Sequence, residues 1–86
     1  MLLNKIIIYN DRLYGMCLWD DNYLFIGCKD KTIKLVEINS GLIIRSLTSH
    51  SNEVLTIIKI IHPVYGECLV SQNYKESDIK LWVNKI

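Results

Sequence analysis

Alanine is missing from this chain of 86 residues, proline occurs once and glycine four times. Lacking the best helix former and carrying fourteen isoleucines, the sequence leans toward strands. β-branched side chains are stiff in a helix and pack well on a pleated surface. No stretch of helical length repeats its apolar residues at a 3.6-residue period, so no helix is predicted. Ten Lys and Arg stand against nine Asp and Glu, a net charge of +1, with the two signs mixed along the chain. Such a balance supplies no field to gather nucleic acid or an anionic membrane.

Catalytic and cofactor signatures are missing as well. The three cysteines, Cys17, Cys28 and Cys68, are odd in number, lack a C-x-x-C spacing and each lie in an apolar run. They are expected to be reduced packing residues. His50 and His62 stand at no ligand spacing from those thiols, so no metal is expected. The glycines are isolated and form no phosphate loop. Ser46, Ser49 and Ser71 lack a nucleophile context, and Asp20-Asp21 read as solvated turn residues. The apolar start, Met1 to Ile8, is broken by Asn4-Lys5 and is too short to span a membrane. It also lacks the basic leader and cleavage site of a secretory signal, so a cytoplasmic or nuclear setting is expected. No enzyme activity and no cofactor are expected.

Half of the residues are hydrophobic, enough for a folded domain, and they fall into short runs separated by turn residues. Strands are predicted over Leu2–Ile8, Leu13–Trp19, Tyr23–Cys28, Thr32–Ile38, Leu42–Thr48, Val54–Ile61, Glu67–Gln72 and Asp78–Val83. Asp20-Asp21-Asn22, Lys29-Asp30-Lys31, Asn39-Ser40-Gly41, Ser49 to Asn52 and Asn73 to Ser77 supply turns. Pro63 ends the sixth strand, since it cannot donate to a ladder.

The chain also repeats itself. Tyr9 to Val36 returns as His50 to Trp82, at a spacing of 41 residues at the start (Tyr9 with His50, Leu13 with Val54) and 46 at the end (Ile33-Lys34-Leu35-Val36 with Ile79-Lys80-Leu81-Trp82). Extra residues around Ile61 to Val64 and Asn73 to Lys75 take up the slack. A period in the forties built of strands points to a propeller array, whose single repeat cannot bury its own face.

"DKTIKLVE", "SDIKLWV" and the link "INSGLIIRSLTSH" resemble the WD-repeat (Trp-Asp repeat) β-propeller family, in register over nearly the whole chain. The resemblance implies an all-β fold of two WD-type repeats, one about 2–42 and the other about 43–86, making a single partial propeller module. It also implies a hydrogen-bond network joining an opening His, a Ser or Thr, a turn Asp and a closing Trp. His50, Ser71 and Trp82 match three of these positions in the second repeat, and Glu76 stands in the Asp slot. In the first repeat only Asp30 matches. Tyr9 and Val36 replace the His and Trp, and Ile26 or Cys28 occupies the Ser region, which leaves that network half-made.

In that family each sequence repeat gives the outer strand of one blade and the inner strands of the next. The resemblance therefore implies one complete four-stranded blade, a second blade lacking its outer strand, and a spare N-terminal outer strand. Other repeats of a longer chain, or copies of this one joined head to tail, would complete the propeller. The implied role is a non-catalytic protein–protein interaction scaffold. Its contacts would fall on the loops carrying Arg12, Lys29, Asn52, Glu53, Tyr74 and Lys75, with Arg12 and Tyr74 the best anchors by residue type. The alternative is a small-molecule or lipid-surface binding propeller fragment. Against it, the innermost strands offer chiefly Lys59 as a titratable group, and no Arg-Arg pair flanks a glycine as in lipid-binding propellers.

Overall fold

A computed structural model describes residues 1–2, 5–6, 8, 12–48, 50–74 and 79–83. Among them every regular element is a strand: β1 (Leu13–Leu18), β2 (Tyr23–Cys28), β3 (Ile33–Glu37), β4 (Ile43–Leu47), β5 (Val54–His62), β6 (Gly66–Asn73) and β7 (Lys80–Val83). They form two antiparallel meanders, a four-stranded sheet in the order β1-β2-β3-β4 and a three-stranded sheet in the order β5-β6-β7. Among the described residues no helix is long and apolar enough to cross a membrane.

Register shows how literally the second sheet repeats the first. Leu13 pairs with Cys28, a bulge follows, and Met16 pairs with Ile26. Val54 pairs with Asn73, a bulge follows at the same place, and Ile57 pairs with Ser71. Ile26 and Ser71 are therefore equivalent, as are Gly15 and Thr56, Gly27 and Gln72, and Val36 and Trp82. The extra residues near Pro63 do not form a loose loop. They lengthen the hairpin by the pairs Ile60–Cys68, Ile61–Glu67 and His62–Gly66, so β5 runs one residue past its predicted end. His62 Nδ1 accepts bonds from the backbone N–H groups of Val64 and Tyr65, at 3.0 and 3.2 Å. That closes the turn, and Gly66 takes the positive φ of 74° that it needs.

Strand alternation divides the first sheet into two apolar faces. Phe25 and Ile33 join Val54, Ile57 and Leu69 of the second sheet in one core, flanked by Cys17, Trp19, Leu47 and Trp82. Ile26, Cys28 and Val36 point the other way and are covered by Ile6 and Ile8. This corrects the predicted Leu2–Ile8 strand. Of its residues Leu2, Lys5, Ile6 and Ile8 are described, and none is in a strand; Leu3, Asn4 and Ile7 lie outside the described residues. Ile6 and Ile8 serve as a cover because the second face of the first sheet is apolar. The predicted start of the last strand, Asp78, is also outside the described residues, and β7 begins at Lys80.

The two sheets meet where side chains are missing. A Cβ on Gly15 would stand 2.6 Å from the carbonyl oxygen of Leu55, and one on Gly27 would stand 2.5 Å from that of Val54. The backbone of β5 thus lies directly on the first sheet, with β1 and β5 running side by side. Gly15→Ala or Gly27→Ala is expected to lower stability by about 1–3 kcal/mol, because backbone rather than a flexible side chain must move. Gly66→Ala meets nothing within 4 Å and is expected to cost only about 1–2 kcal/mol for its left-handed backbone. Urea midpoints of the three variants test this order. A Gly15 or Gly27 variant as stable as the parent would mean that the sheets do not pack in this way.

Candidate structural network and interaction surface

Equivalent positions of the two sheets carry opposite chemistry. In the second, the Trp82 indole N–H donates to Ser71 Oγ at 2.7 Å, and His50 Nε2 lies 2.6 Å from the same oxygen. His50 and Ser71 are buried, and the His50 and Trp82 rings are 6.2 Å apart. Alternation places Ser71 on the inward face of β6, Trp82 arrives across from Leu69 on β7, and His50 enters from the linker before β5. Glu76 lies outside the described residues. In the first sheet the equivalents of Ser71 and Trp82 are Ile26 and Val36, which pack with Cys28 and Ile8. At these two positions the polar side chains are replaced together by apolar ones. Tyr9, matched with His50 by spacing, lies outside the described residues.

Asp30 does not take part in a network of the His50 type. It sits in the β2–β3 turn, where Oδ1 accepts from the Thr32 backbone N–H at 3.0 Å and its hydroxyl at 2.5 Å. Oδ2 accepts from Lys34 Nζ at 2.7 Å. Burial raises its pKa, but the bonds from Lys34 and Thr32 outweigh that and hold the carboxyl below its ordinary value. The turn explains the arrangement: a short acidic side chain can bond the backbone two residues on, and the next inward cation, Lys34, reaches back to it.

The residues expected on the interaction surface gather at one end of both sheets, except Lys75, which lies outside the described residues. Lys29 N–H donates to the Arg12 carbonyl at 2.9 Å, and at the equivalent place Tyr74 N–H donates to the Glu53 carbonyl at 2.8 Å. Arg12, Lys29 and Tyr74 are exposed, whereas Asn52 and Glu53 are partly buried. Asn52 Oδ1 accepts from the Glu53 backbone N–H at 2.8 Å. Glu53 Oε2 accepts from the Tyr14 hydroxyl at 2.8 Å, across the two sheets. That bond, reinforced by burial and the Glu53 charge, raises the Tyr14 pKa. Glu53 thus has a structural duty besides its surface position.

Two other features were not foreseen from the residue pattern. Lys59 Nζ bonds the Trp19 carbonyl oxygen, lies 4.8 Å from the Trp19 ring centroid and pairs with Glu67 at 3.1 Å. Beside it a cavity of about 290 Å³ opens between the sheets, lined by Trp19, Phe25, Leu47, Leu69 and Trp82 with Arg45 at its wall. Trp19 and Phe25 meet edge to face, with centroids 5.5 Å apart. Trp19, Phe25 and Trp82 also flank the core shared by the two sheets, whereas Tyr65 and Tyr74 are exposed. None of the three cysteines forms a disulfide among the described residues; Cys28 and Cys68 are buried, and burial pushes the Cys17 thiol up despite Lys59 nearby.

Comparison of the chain with protein-family models, with curated proteins and with solved structures gave no match in any of the three.

Ser71→Ala strips both the indole N–H and His50 Nε2 of their shared partner. It is expected to cost about 2–3 kcal/mol, read from the urea midpoint. Ile26→Ser at the equivalent place is expected to destabilise also, because a hydroxyl would enter an apolar cluster without a partner. Acid titration tests Asp30. A depressed folded pKa means stability present above the ordinary carboxylate value and lost as pH falls through the folded value. Asp30→Asn should therefore make the fall in stability toward acid shallower. An unchanged slope would show that Asp30 is not paired in solution.

Proposed function

We propose that this chain is part of a WD-type β-propeller acting as a non-catalytic protein–protein interaction scaffold, completed by other repeats or other chains. The observation that carries the reading is the repetition of one meander with the same bulge and the same loop bond. Lys29 to Arg12 in the first sheet becomes Tyr74 to Glu53 in the second. Two such units packed β1 against β5, the second one strand shorter than the first, suit adjacent blades of an incomplete propeller. In each sheet that bond ties the loop after the second strand to the start of the first, and the Tyr14–Glu53 bond joins the two sheets at that end, which favours Arg12, Lys29 and Tyr74 as the residues a rigid scaffold would present to a partner.

The small-molecule reading has less support on the innermost strands. Their one prominent cation, Lys59, is engaged by Trp19 and Glu67. A lipid-surface role has equally little support, since the chain carries a net charge of only +1.

Charge reversal tests the surface. Arg12→Glu combined with Lys29→Glu is expected to weaken binding of a partner protein by at least about tenfold, while Asp21→Lys, in the turn at the other end of β1, leaves it unchanged. Affinity measured by titration calorimetry on a partner identified by cross-linking decides the matter. If the double reversal binds normally, recognition lies elsewhere.

A further inference from the structure

Among the described residues the second sheet has one strand fewer than the first, and the inter-sheet cavity is lined by its last strand, β7. In the first sheet β4 pairs with β3, with Arg45 opposite Leu35 and Leu47 opposite Ile33, so both side chains face the second sheet. Among the described residues no strand pairs with the far edge of β7. A strand added there would direct the side chain opposite Trp82 to the same face as Trp82, which is the face lining the cavity.

Electrostatics narrows what that strand carries. Arg45 is exposed and has no ion-pair partner among the described residues. Asp20, also on the lining, has its Oδ1 directed to the backbone N–H groups of Asn22 and Tyr23 at 2.8 and 3.0 Å. The rest of the wall is chiefly aromatic and aliphatic. We propose that the edge of β7 around Trp82 receives an extended acidic peptide from a partner protein. One apolar side chain of the peptide fills the cavity, and a carboxylate two residues away along the strand pairs with Arg45. Main-chain bonds to the edge supply affinity, and the two side chains supply selection. The guanidinium fork suits a carboxylate in two-point contact. This proposal rests on reading the second sheet as one strand short, and it adds the chemistry of the strand that fills the gap.

The test uses two short synthetic peptides of alternating Thr and Val around a central Leu, one with Glu and one with Lys two positions from that Leu. Each is titrated into the full chain by calorimetry, with amide hydrogen exchange followed at residues 81–83. The Glu peptide is expected to bind at least about tenfold tighter than the Lys peptide and to protect those amides. Arg45→Glu should invert the preference. Because Arg45 is exposed, this variant should unfold at the parent's urea concentration. Protection by both peptides with equal affinity, or a preference unchanged in Arg45→Glu, would overturn the acidic pairing while leaving the vacant edge standing. If neither peptide protects the edge, both the proposal and the missing-strand reading fall.

Discussion

Backbone lying against backbone, over the two positions where the first sheet has no Cβ, is the contact on which the rest of the structure depends. With β5 resting on Gly15 and Gly27, Val54 and Ile57 come close enough to share a core with Ile33 and Phe25. The same approach lets Tyr14 reach Glu53 and Lys59 reach the Trp19 carbonyl. Each meander alone would be a small twisted sheet with too little apolar surface covered to be stable. Stacking them makes one core and leaves the outer faces to other covers.

The two repeats show that a buried position can be satisfied in two ways provided the change is complete. Ser71 Oγ is shared by the Trp82 indole N–H and His50 Nε2. Ile26 and Val36, at the equivalent places, meet Cys28 and Ile8 with no polar group among their side chains. Replacing both ends of a hydrogen bond by packed apolar groups is close to neutral, whereas replacing one end strands the other. The first repeat therefore departs from the motif without departing from the fold. Asp30, freed from a network of that kind, serves its own turn and Lys34.

Much of the strand layout was legible because alternation and turn chemistry are local. Tyr23 to Cys28 is apolar at nearly every position, and its two faces enter two different clusters, as do those of β3 with Ile33 and Val36. The strand end at Pro63 is legible too, since β5 stops at His62, whereas the added pairs that lengthen its hairpin are not. The glycines were read only as isolated, because nothing near Gly15 in sequence reveals that a carbonyl some forty residues later will occupy its Cβ position. The same limit hid the Tyr14 to Glu53 bond, the setting of Lys59 and the cavity beside Arg45. All of them are made by the stacking of the sheets, not by either sheet alone.

That stacking is also directional. The outward face of the second sheet carries Ile58 and Leu81, half exposed at 51% and 45%, where the equivalent Cys17 and Leu35 of the first sheet face β5. Exposed side chains of this kind call for a cover. Yet the residues equivalent to Gly15 and Gly27 are Thr56 and Gln72. A strand laid on this face as β5 lies on the first sheet would meet their Cβ atoms at a separation that real contacts essentially never show. Any further sheet must stand farther off or cross at another angle, with larger side chains filling the space. The internal repeat therefore does not encode its own indefinite extension. Whatever covers the second sheet must pack on it in a geometry different from that of β5 on the first sheet.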